Sequence, residues 1–308
     1  MNLRLSIFLL LLPFLLTAQF QQHTLIFVGD TQSPIWFEKF YLQYNNNEKA
    51  TQNIFSAVLK EQNVDAVIHA GDITGYGSSK SEWKPVLPFL DSLRERSIPF
   101  IAAKGNHDYM FLPSTAMKRF KEYVPSSASD YSLWKFDNVA IILLNSNFSR
   151  LNSSVITTQR KWYVSMLEKC EADTSVHFII TVDHHPPFTN SKVISGSEEV
   201  RKDFLPAFFQ SKKAVLFVSG HAHRFEHFRQ QGKDFLVVGG GGGLLHNEQT
   251  PPVMNDLYTG KDEGEFFHYV RCRVFADSLS FEIVKVTPHP ARTEIVHHFE
   301  ISAVGRKQ

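Results

Sequence analysis

The chain has 308 residues, of which 43% are apolar and 13% aromatic, so it can bury the full core of one soluble domain. Its formal net charge of +1 gives no large positive field, which argues against tight general binding to nucleic acid but does not exclude a nucleotide as substrate. We therefore expect no stable nucleic-acid complex.

The first element in chain order has the pattern of a secretory signal. One Arg precedes the apolar run Leu5–Leu16, and small residues at 16–19 offer a cleavage site. The alternative is a membrane anchor, but the run contains Pro13 and is shorter than the roughly 20 residues that a spanning helix needs. Residues 1–19 are predicted to be a signal peptide. The mature protein is then exported, periplasmic or secreted, with no membrane span.

The next part of the chain alternates strand-like and helical segments, which favours a layered α/β domain. The predicted strands are short, rich in branched or aromatic residues and bounded by glycine or polar clusters. They cover residues 24–28, 66–69, 99–103, 139–144, 176–182 and 214–219. Helical spacing of apolar residues predicts helices over residues 49–62, 82–96, 158–171 and 198–209.

After His223 the predicted strands follow one another without helices between them. They cover residues 225–229, 235–238, 266–275, 280–286 and 294–301. This change predicts a second sheet, built from the late strands and packed against the first. Because no proline-rich or charged linker separates the halves, we expect one domain over residues 20–308, with two facing sheets.

Two cysteines, Cys170 and Cys272, lie far apart in the sequence. In an oxidising compartment they could pair, but they are equally consistent with two separate buried thiols. The sequence leaves both alternatives open, and it leaves the oligomeric state open as well.

Five short polar clusters follow in one order, and nearly every one comes directly after an apolar run. They are Gly29-Asp30-Thr31-Gln32, Gly71-Asp72, Gly105-Asn106-His107-Asp108, His184-His185-Pro186-Pro187 and Gly220-His221-Ala222-His223. Each cluster therefore lies where a buried strand would end. Carboxylate, amide and imidazole side chains that meet at the carboxyl edge of a sheet can hold two divalent cations.

Taken singly, most of these clusters are weak signals. A lone Gly-Asp pair is usually a turn, and Asn106-His107 is as readily an asparagine turn with an incidental histidine. The last cluster is the most specific, because His221 and His223 are two residues apart and share one face of an extended segment. Neutral imidazole is also the commonest nitrogen ligand of transition metals.

Together the clusters resemble the calcineurin-like metallophosphoesterase superfamily, over about residues 24–230. The resemblance implies an α/β, four-layer fold in which two facing mixed β-sheets form a β-sandwich flanked by α-helices. It implies that two divalent metal ions are held by Asp30, Gln32, Asp72, Asn106, His184, His221 and His223. Asp72 would bridge the ions, with Asp30, Gln32 and His223 at one of them and Asn106, His184 and His221 at the other.

Gln32 departs from this pattern, because the family usually has histidine two residues after the first Asp. Its amide oxygen is a harder donor than imidazole, which should shift that position toward Mn, Mg or Fe(II) and away from Zn. The expected cofactors are two divalent ions, Mn, Fe or Zn, with Mg also possible. Gly75 stands where purple acid phosphatases have a metal-bound tyrosine, and no Arg follows Asp72 as it does in serine/threonine protein phosphatases.

The resulting hypothesis is an exported phosphoesterase that acts on a small phosphorylated substrate, with phosphomonoesters favoured over phosphodiesters or nucleotides. Asp72 and the cations would hold a bridging hydroxide that attacks phosphorus. His107 would protonate the leaving oxygen or stabilise the transition state, with Asp108 as the partner that orients its ring. The rival hypothesis is a non-catalytic binding protein that keeps the fold, with Gln32 as the first sign of lost turnover.

Two further features bear on the substrate. Residues 32–43, 109–125, 188–196 and 244–264 are the predicted walls of the cleft. Trp36 or Tyr109 would offer an aromatic shelf there for a nucleotide or aryl group. The run Gly239–Gly243 lacks the residues of a nucleotide-binding loop, so we interpret it as backbone that passes close to the metal loops.

Overall fold

The computed structural model describes residues 23–35, Glu38 and residues 46–303. The predicted signal peptide, residues 1–19, lies outside the described residues. Across the described ranges, twelve strands form two six-stranded mixed sheets that face each other, with helices on their outer faces. The predicted fold class is confirmed.

The strands run antiparallel and parallel in both sheets, and the helices lie between them in the sequence. The strands are β1 (His23–Val28), β2 (Val64–His69), β3 (Phe100–Ala102), β4 (Ser132–Phe136), β5 (Val139–Leu143), β6 (Phe178–Val182), β7 (Ala214–Ser219), β8 (Phe225–Gln230), β9 (Lys233–Val238), β10 (His268–Val274), β11 (Ser278–Pro288) and β12 (Ala291–Ser302). The helices are α1 (Asn47–Val58), α2 (Lys80–Trp83), α3 (Leu87–Glu95), α4 (Pro113–Tyr123), α5 (Ser153–Ala172), α6 (Glu198–Asp203) and α7 (Leu205–Gln210).

The late strands complete both sheets and do not form a sheet of their own, so that part of the sequence prediction is wrong. The first sheet has the order β12-β11-β10-β1-β2-β3, and the second has the order β4-β5-β6-β7-β9-β8. The parallel pairs β1–β2 and β6–β7, which come early in the sequence, leave one edge of β1 and one edge of β7 unpaired. Because unpaired strand edges carry unsatisfied backbone groups, β10 pairs with β1 and β9 pairs with β7.

The main core lies between the two sheets, and strand alternation explains which residues enter it. In β1, Leu25 and Phe27 belong to the inter-sheet core, whereas Ile26 and Val28 pack against the helices outside the first sheet. Ile54 and Val58, one turn apart on α1, are buried in the same outer layer, as their helical spacing predicts. Both faces of β1 are therefore covered, which holds its carboxyl end in a fixed place.

The two cysteines do not form a disulfide. Cys170 on α5 and Cys272 on β10 are separate buried thiols.

None of the helices in the described ranges combines the length and the apolar character that crossing a bilayer requires.

Candidate metal centre

All five polar clusters follow strands, as the sequence predicts. The first three clusters follow β1, β2 and β3, which are neighbouring parallel strands of the first sheet. The other two follow β6 and β7, which are parallel neighbours in the second sheet. The carboxyl ends of both sets meet at one edge of the sandwich, which is where ligands bind in open α/β sheets.

Three of the predicted ligands have a backbone conformation that side chains with a Cβ rarely adopt. The φ angles of Asp30, Asp72 and His221 are 58°, 58° and 67°, in the left-handed region. This conformation costs about 1–2 kcal/mol per residue, and such strain concentrates at functional sites. It turns the chain sharply at the end of each strand, so that the side chain faces back over the sheet edge.

One half of the centre contains Asp30, Gln32 and His223. Both carboxylate oxygens of Asp30 accept the backbone N–H of His221 at 2.9 Å, and Oδ1 lies 3.5 Å from Nε2 of His223. The amide nitrogen of Gln32 is best satisfied facing the backbone carbonyls of Asp30 (3.1 Å) and Asp72 (3.0 Å). In this orientation the amide oxygen points into the site, 3.1 Å from His223 Nε2.

The other half contains Asp72, Asn106, His184 and His221. Nε2 of His184 lies 3.3 Å from Asp72 Oδ2 and 3.0 Å from the amide oxygen of Asn106. The ring of His221 packs against that of His184, with centroids 4.9 Å apart. The structure therefore brings the seven predicted ligand residues together in one place, and their division between two ions stays a prediction.

Backbone carbonyls orient two of the imidazole rings. Nδ1 of His184 lies 2.9 Å from the carbonyl oxygen of Ala70, and Nδ1 of His223 lies 2.8 Å from that of Leu244. A carbonyl oxygen only accepts hydrogen bonds, so Nδ1 is the donor in both rings and the neutral ring keeps its lone pair on Nε2. This is the usual way in which a protein orients a metal-binding histidine.

The electrostatics of the centre favour a positive charge beside Asp72. Burial acts to raise the pKa of Asp72, but the imidazoles of His184 and His107 outweigh it and hold the pKa far below its usual range. Burial acts to lower the pKa of His184, and the carboxylate of Asp72 outweighs it and raises this pKa to about 10. Burial, together with the charge on His184, lowers the pKa of His221 well below its usual range.

The donor set fits a pair of divalent cations. Asp72 Oδ1 accepts the backbone N–H of His107 at 2.7 Å, whereas the buried Oδ2 makes no hydrogen bond of good geometry among the described residues and has only the ion-pair contact of 3.3 Å with Nε2 of His184. Such an orphaned carboxylate oxygen is costly unless a cation satisfies it. Suitable ligand atoms of Asp30, Asp72 and His184 lie within 4.8 Å of one another. Carboxylate, amide oxygen and imidazole together suit Mn, Fe or Zn.

His107 lies beside this centre, but a different group orients it. Its Nε2 is 4.0 Å from Asp72 Oδ2, and its Nδ1 lies 3.1 Å from the carbonyl oxygen of Gly75. The carboxylate of Asp108 accepts hydrogen bonds from three backbone N–H groups, those of Asp72, Ile73 and Gly105. The prediction that Asp108 orients the His107 ring is therefore wrong, and the Gly75 carbonyl holds that place.

The glycine run Gly239–Gly243 passes close to the centre, as interpreted from the sequence. Gly241 and Gly243 donate their N–H groups to the carbonyl oxygens of Gly29 and Asp30. A Cβ atom on Gly243 would lie 2.5 Å from ring atoms of His223. Only a residue without a side chain allows the backbone this approach.

Three polar residues near the centre were missed from the sequence. His246 stacks on His223 with centroids 4.4 Å apart, His69 contacts the hydroxyl of Thr31 at 3.0 Å, and Ser146 contacts the segment that carries His184. His69 is the last residue of β2, two residues before Gly71, and that position is a usable signal. His246 and Ser146 lie in loops with no local pattern, so only the fold reveals them.

The predicted aromatic shelf is not formed by Tyr109. This side chain is buried, and its hydroxyl accepts a hydrogen bond from the amide of Asn145 at 2.8 Å. Trp36, the other candidate, lies outside the described residues. Phe111 is instead 71% exposed and contacts the ring of Tyr76, with centroids 4.8 Å apart.

Comparison with known proteins places this geometry in context. Residues 23–225 match the family model described as calcineurin-like phosphoesterase. No curated protein matches the sequence. Among solved structures, the chain is similar to GAP50, described as the anchor in the inner membrane complex of Plasmodium, with a TM-score of 0.65 and 15% identity over 91% of this chain and 89% of that one.

Two phosphatases are similar to a comparable degree. The purple acid phosphatase PPD1 from yellow lupin (Lupinus luteus) seeds has a TM-score of 0.64 and 16% identity, over 91% of this chain and 54% of that one. A dimetal phosphatase from Danio rerio has a TM-score of 0.61 and 12% identity, over 91% of this chain and 99% of that one. At these identities the likeness shows a common fold.

Proposed function

The chain belongs to the calcineurin-like phosphoesterase family, and from that premise we propose that it is an exported, dinuclear metal-dependent phosphatase. The observation that carries the proposal is the place of Asp72. Its buried carboxylate lies between the two halves of the centre, with one oxygen held by the backbone of His107 and the other facing His184. A carboxylate in this place is suited to bridge two cations.

In this proposal Asp30, Gln32 and His223 hold one cation, Asn106, His184 and His221 hold the other, and Asp72 is shared. Two bound cations supply a water activated for attack and neutralise charge on the phosphoryl oxygens. The carbonyl contacts of His184 and His223 keep Nε2 of each ring toward the ions. The pair of Gln32 nitrogen contacts keeps its oxygen toward the same place.

His107 is the proposed proton donor to the leaving oxygen. Its Nδ1 is held by the Gly75 carbonyl, so Nε2 is the nitrogen that faces the centre and passes a proton in the imidazolium form. The side chain is 11% exposed, so His107 lies at the accessible side of the centre. Asp108 acts on His107 only through the loop that it braces.

Phosphomonoesters are the proposed substrate class, with phosphodiesters or nucleotides as the alternative at the same site. Two similar structures are phosphatases by name, which supports the first choice. Similarity to an anchor protein supports the non-catalytic alternative, because one fold can serve proteins of different function. What argues against that alternative is the full set of seven ligand-type side chains together with His107.

Export is proposed from the sequence of residues 1–19. The apolar run after Arg4 and the small residues before position 20 support a cleaved signal. N-terminal sequencing of the protein from its natural source tests this directly. A first residue close to position 20 is expected, and an intact Met1 would contradict export by this signal.

The function is tested by metal analysis and a substrate panel. We expect two equivalents of Mn, Fe or Zn per chain and metal-dependent hydrolysis of p-nitrophenyl phosphate, faster than that of its diester analogue. Asp72→Asn should abolish turnover. Asp137→Asn is the matched control, because Asp137 is exposed and has a similar left-handed φ of 51°. An inert, metal-free wild-type chain, or an active Asp72→Asn variant, contradicts the proposal.

A further inference from the structure

His185 follows a predicted metal ligand and has no assigned role. Its ring packs against two predicted ligands, with centroid distances of 4.8 Å to His184 and 4.5 Å to His221. One nitrogen of each of these three rings lies within 4.8 Å of the others. His184 is fully buried, whereas His185 is only partly buried. His185 therefore lies at the accessible edge of the centre, beside the half that contains Asn106.

The hydroxyl of Ser146 fixes where the hydrogen of this ring resides. Ser146 Oγ accepts the backbone N–H groups of His184 at 3.2 Å and His185 at 2.9 Å, which occupies both of its lone pairs. The hydroxyl proton is then available to its third neighbour, Nδ1 of His185, at 2.9 Å. Nδ1 is thus the acceptor, and the neutral ring carries its hydrogen on Nε2.

This is the opposite tautomer from that of His184 and His223. Those two rings donate from Nδ1 to carbonyl oxygens and keep a lone pair on Nε2, which is what a metal ligand needs. His185 instead receives a proton at Nδ1 and presents an N–H group from Nε2. The structure therefore distinguishes two kinds of imidazole in one cluster, one suited to cations and one suited to anions.

We propose that His185 donates Nε2–H to a phosphoryl oxygen of the bound ester, as a catalytic residue that contacts the substrate. This inference rests on the proposed function. A donor fixed in advance at the edge of a partly dehydrated site stabilises developing negative charge without reorganisation. Ser146 is the positioning residue, because it sets the tautomer and holds the backbone of His184 and His185 in one place.

The first test uses two variants that differ in where they place an N–H donor. The side-chain nitrogen of Gln reaches about as far as Nε2 of histidine, whereas that of Asn reaches only about as far as Nδ1. In the fully metallated protein, His185→Asn should weaken inorganic phosphate binding, measured by calorimetry, and lower kcat/KM, each by roughly 10- to 100-fold. His185→Gln should retain most of both, and both variants should keep two metals per chain.

The second test reads the tautomer itself and needs neither metal nor turnover. Nitrogen-15 NMR of the wild-type protein should show His185 protonated at Nε2 and unprotonated at Nδ1, and Ser146→Ala should remove this fixed preference. Protonation at Nδ1 in the neutral wild-type ring overturns the proposal.

Other results of the first test also decide the matter. Loss of one metal equivalent in His185→Asn would show that the ring is a metal ligand. Unchanged phosphate affinity and unchanged kcat/KM in this variant would show that the ring has a purely structural role. Both outcomes overturn the inference and leave the proposed function standing. A wild-type chain without metal or hydrolysis overturns both, and that failure is seen before any substitution is made.

Discussion

The carboxylate of Asp108 accepts a hydrogen bond from the backbone N–H of Asp72 at 3.0 Å. The same carboxylate accepts the N–H groups of Ile73 and Gly105, at 3.0 and 2.9 Å. In return, Asp72 Oδ1 accepts the backbone N–H of His107 at 2.7 Å. Each of the two loops thus carries a carboxylate that binds the backbone of the other, and the loops are held as one unit beneath the candidate metal centre.

Replacing Asp108 with Asn should weaken the hydrogen bonds that hold the two loops together, and its effect should not be limited to proton transfer. An amide offers one acceptor oxygen and turns an NH₂ group toward backbone donors, so at least one buried N–H loses its partner. We expect a loss of about 2–4 kcal/mol in the free energy of unfolding, measured by urea denaturation, and weaker metal binding.

The comparison variant for this prediction is His107→Asn. It should lower kcat while leaving metal content and stability close to wild type, because the Asn amide nitrogen reaches about as far as Nδ1 and can keep the contact with the Gly75 carbonyl. If Asp108→Asn instead keeps wild-type stability and alters only the dependence on the leaving group, the bracing role is wrong and the original orienting hypothesis returns.

Five local clusters were sufficient to locate the loops that meet at the candidate centre, because each is a short run at a strand end. The partner of Asp108 was not predictable in the same way. Asp108 is adjacent to His107 in the sequence, yet its three hydrogen bonds go to backbone N–H groups, which every non-proline residue possesses. Sequence identifies which side chains carry chemistry, and only the path of the backbone decides which of them act as scaffold.

The fold was predictable where hydrophobic periodicity is strong and missed where it is sparse. Helix α4 (Pro113–Tyr123) was expected to be cleft wall, and it buries only Ala116 and Phe120. Strand β4 (Ser132–Phe136) is an edge strand, only partly buried, and was also missed. The sheet that each late strand joins depends on which edge is left open by strands far earlier in the chain, so a local pattern does not determine it.

Gln32 offers a test of how the centre selects its metal. Its oxygen faces the site because two carbonyls hold its nitrogen, and an imidazole at this position would add a nitrogen ligand. Gln32→His should shift the Zn to Mn ratio upward after dialysis against equal concentrations of both ions, read by mass spectrometry.

Gln32→Ala is the matched variant for the metal-selection test. It removes the donor without replacing it, and metal affinity should fall by at least roughly tenfold. An unchanged metal ratio in Gln32→His together with unchanged affinity in Gln32→Ala would show that the Gln32 oxygen does not reach an ion.

A methyl group at Gly243 should disturb the centre with little effect on the rest of the fold. The added Cβ would lie 2.5 Å from atoms of the His223 ring, so the ring must shift from its present place, 3.5 Å from Asp30 Oδ1. We expect Gly243→Ala to lose most metal binding and turnover, with a cost in stability of about 1–3 kcal/mol from overpacking.

Gly232→Asn is the control for the methyl-group prediction. Gly232 has a φ of 73° and no atoms within 4 Å of an added Cβ, and Asn tolerates this conformation. Circular dichroism and metal content should match wild type in the control. A Gly243→Ala variant with full metal content would mean that the loop gives way and the His223 ring stays in place.

His268 should make the stability of the protein depend on pH through burial alone. The ring is buried between Phe225 and Phe266, with centroids at 5.4 and 5.3 Å. Burial lowers its pKa from 6.5 to about 4, against weaker opposing effects of the Phe266 carbonyl and Asp262. Between pH 6.5 and about pH 4, His268 is protonated in the unfolded chain but still neutral in the folded chain. The free energy of unfolding therefore has its full value above pH 6.5 and decreases as the pH falls through this interval.

For His268 alone, this pKa shift lowers the free energy of unfolding by about 2 kcal/mol between pH 7.5 and pH 5. Phenylalanine has a similar shape and does not titrate, so His268→Phe should lose less stability than wild type over this interval, by about that amount, in urea denaturation at the two pH values. His298→Gln, at an exposed position on β12, should keep the wild-type dependence. Equal pH dependence in wild type and His268→Phe would show that the buried ring accepts a proton in the folded state, which its apolar surroundings argue against.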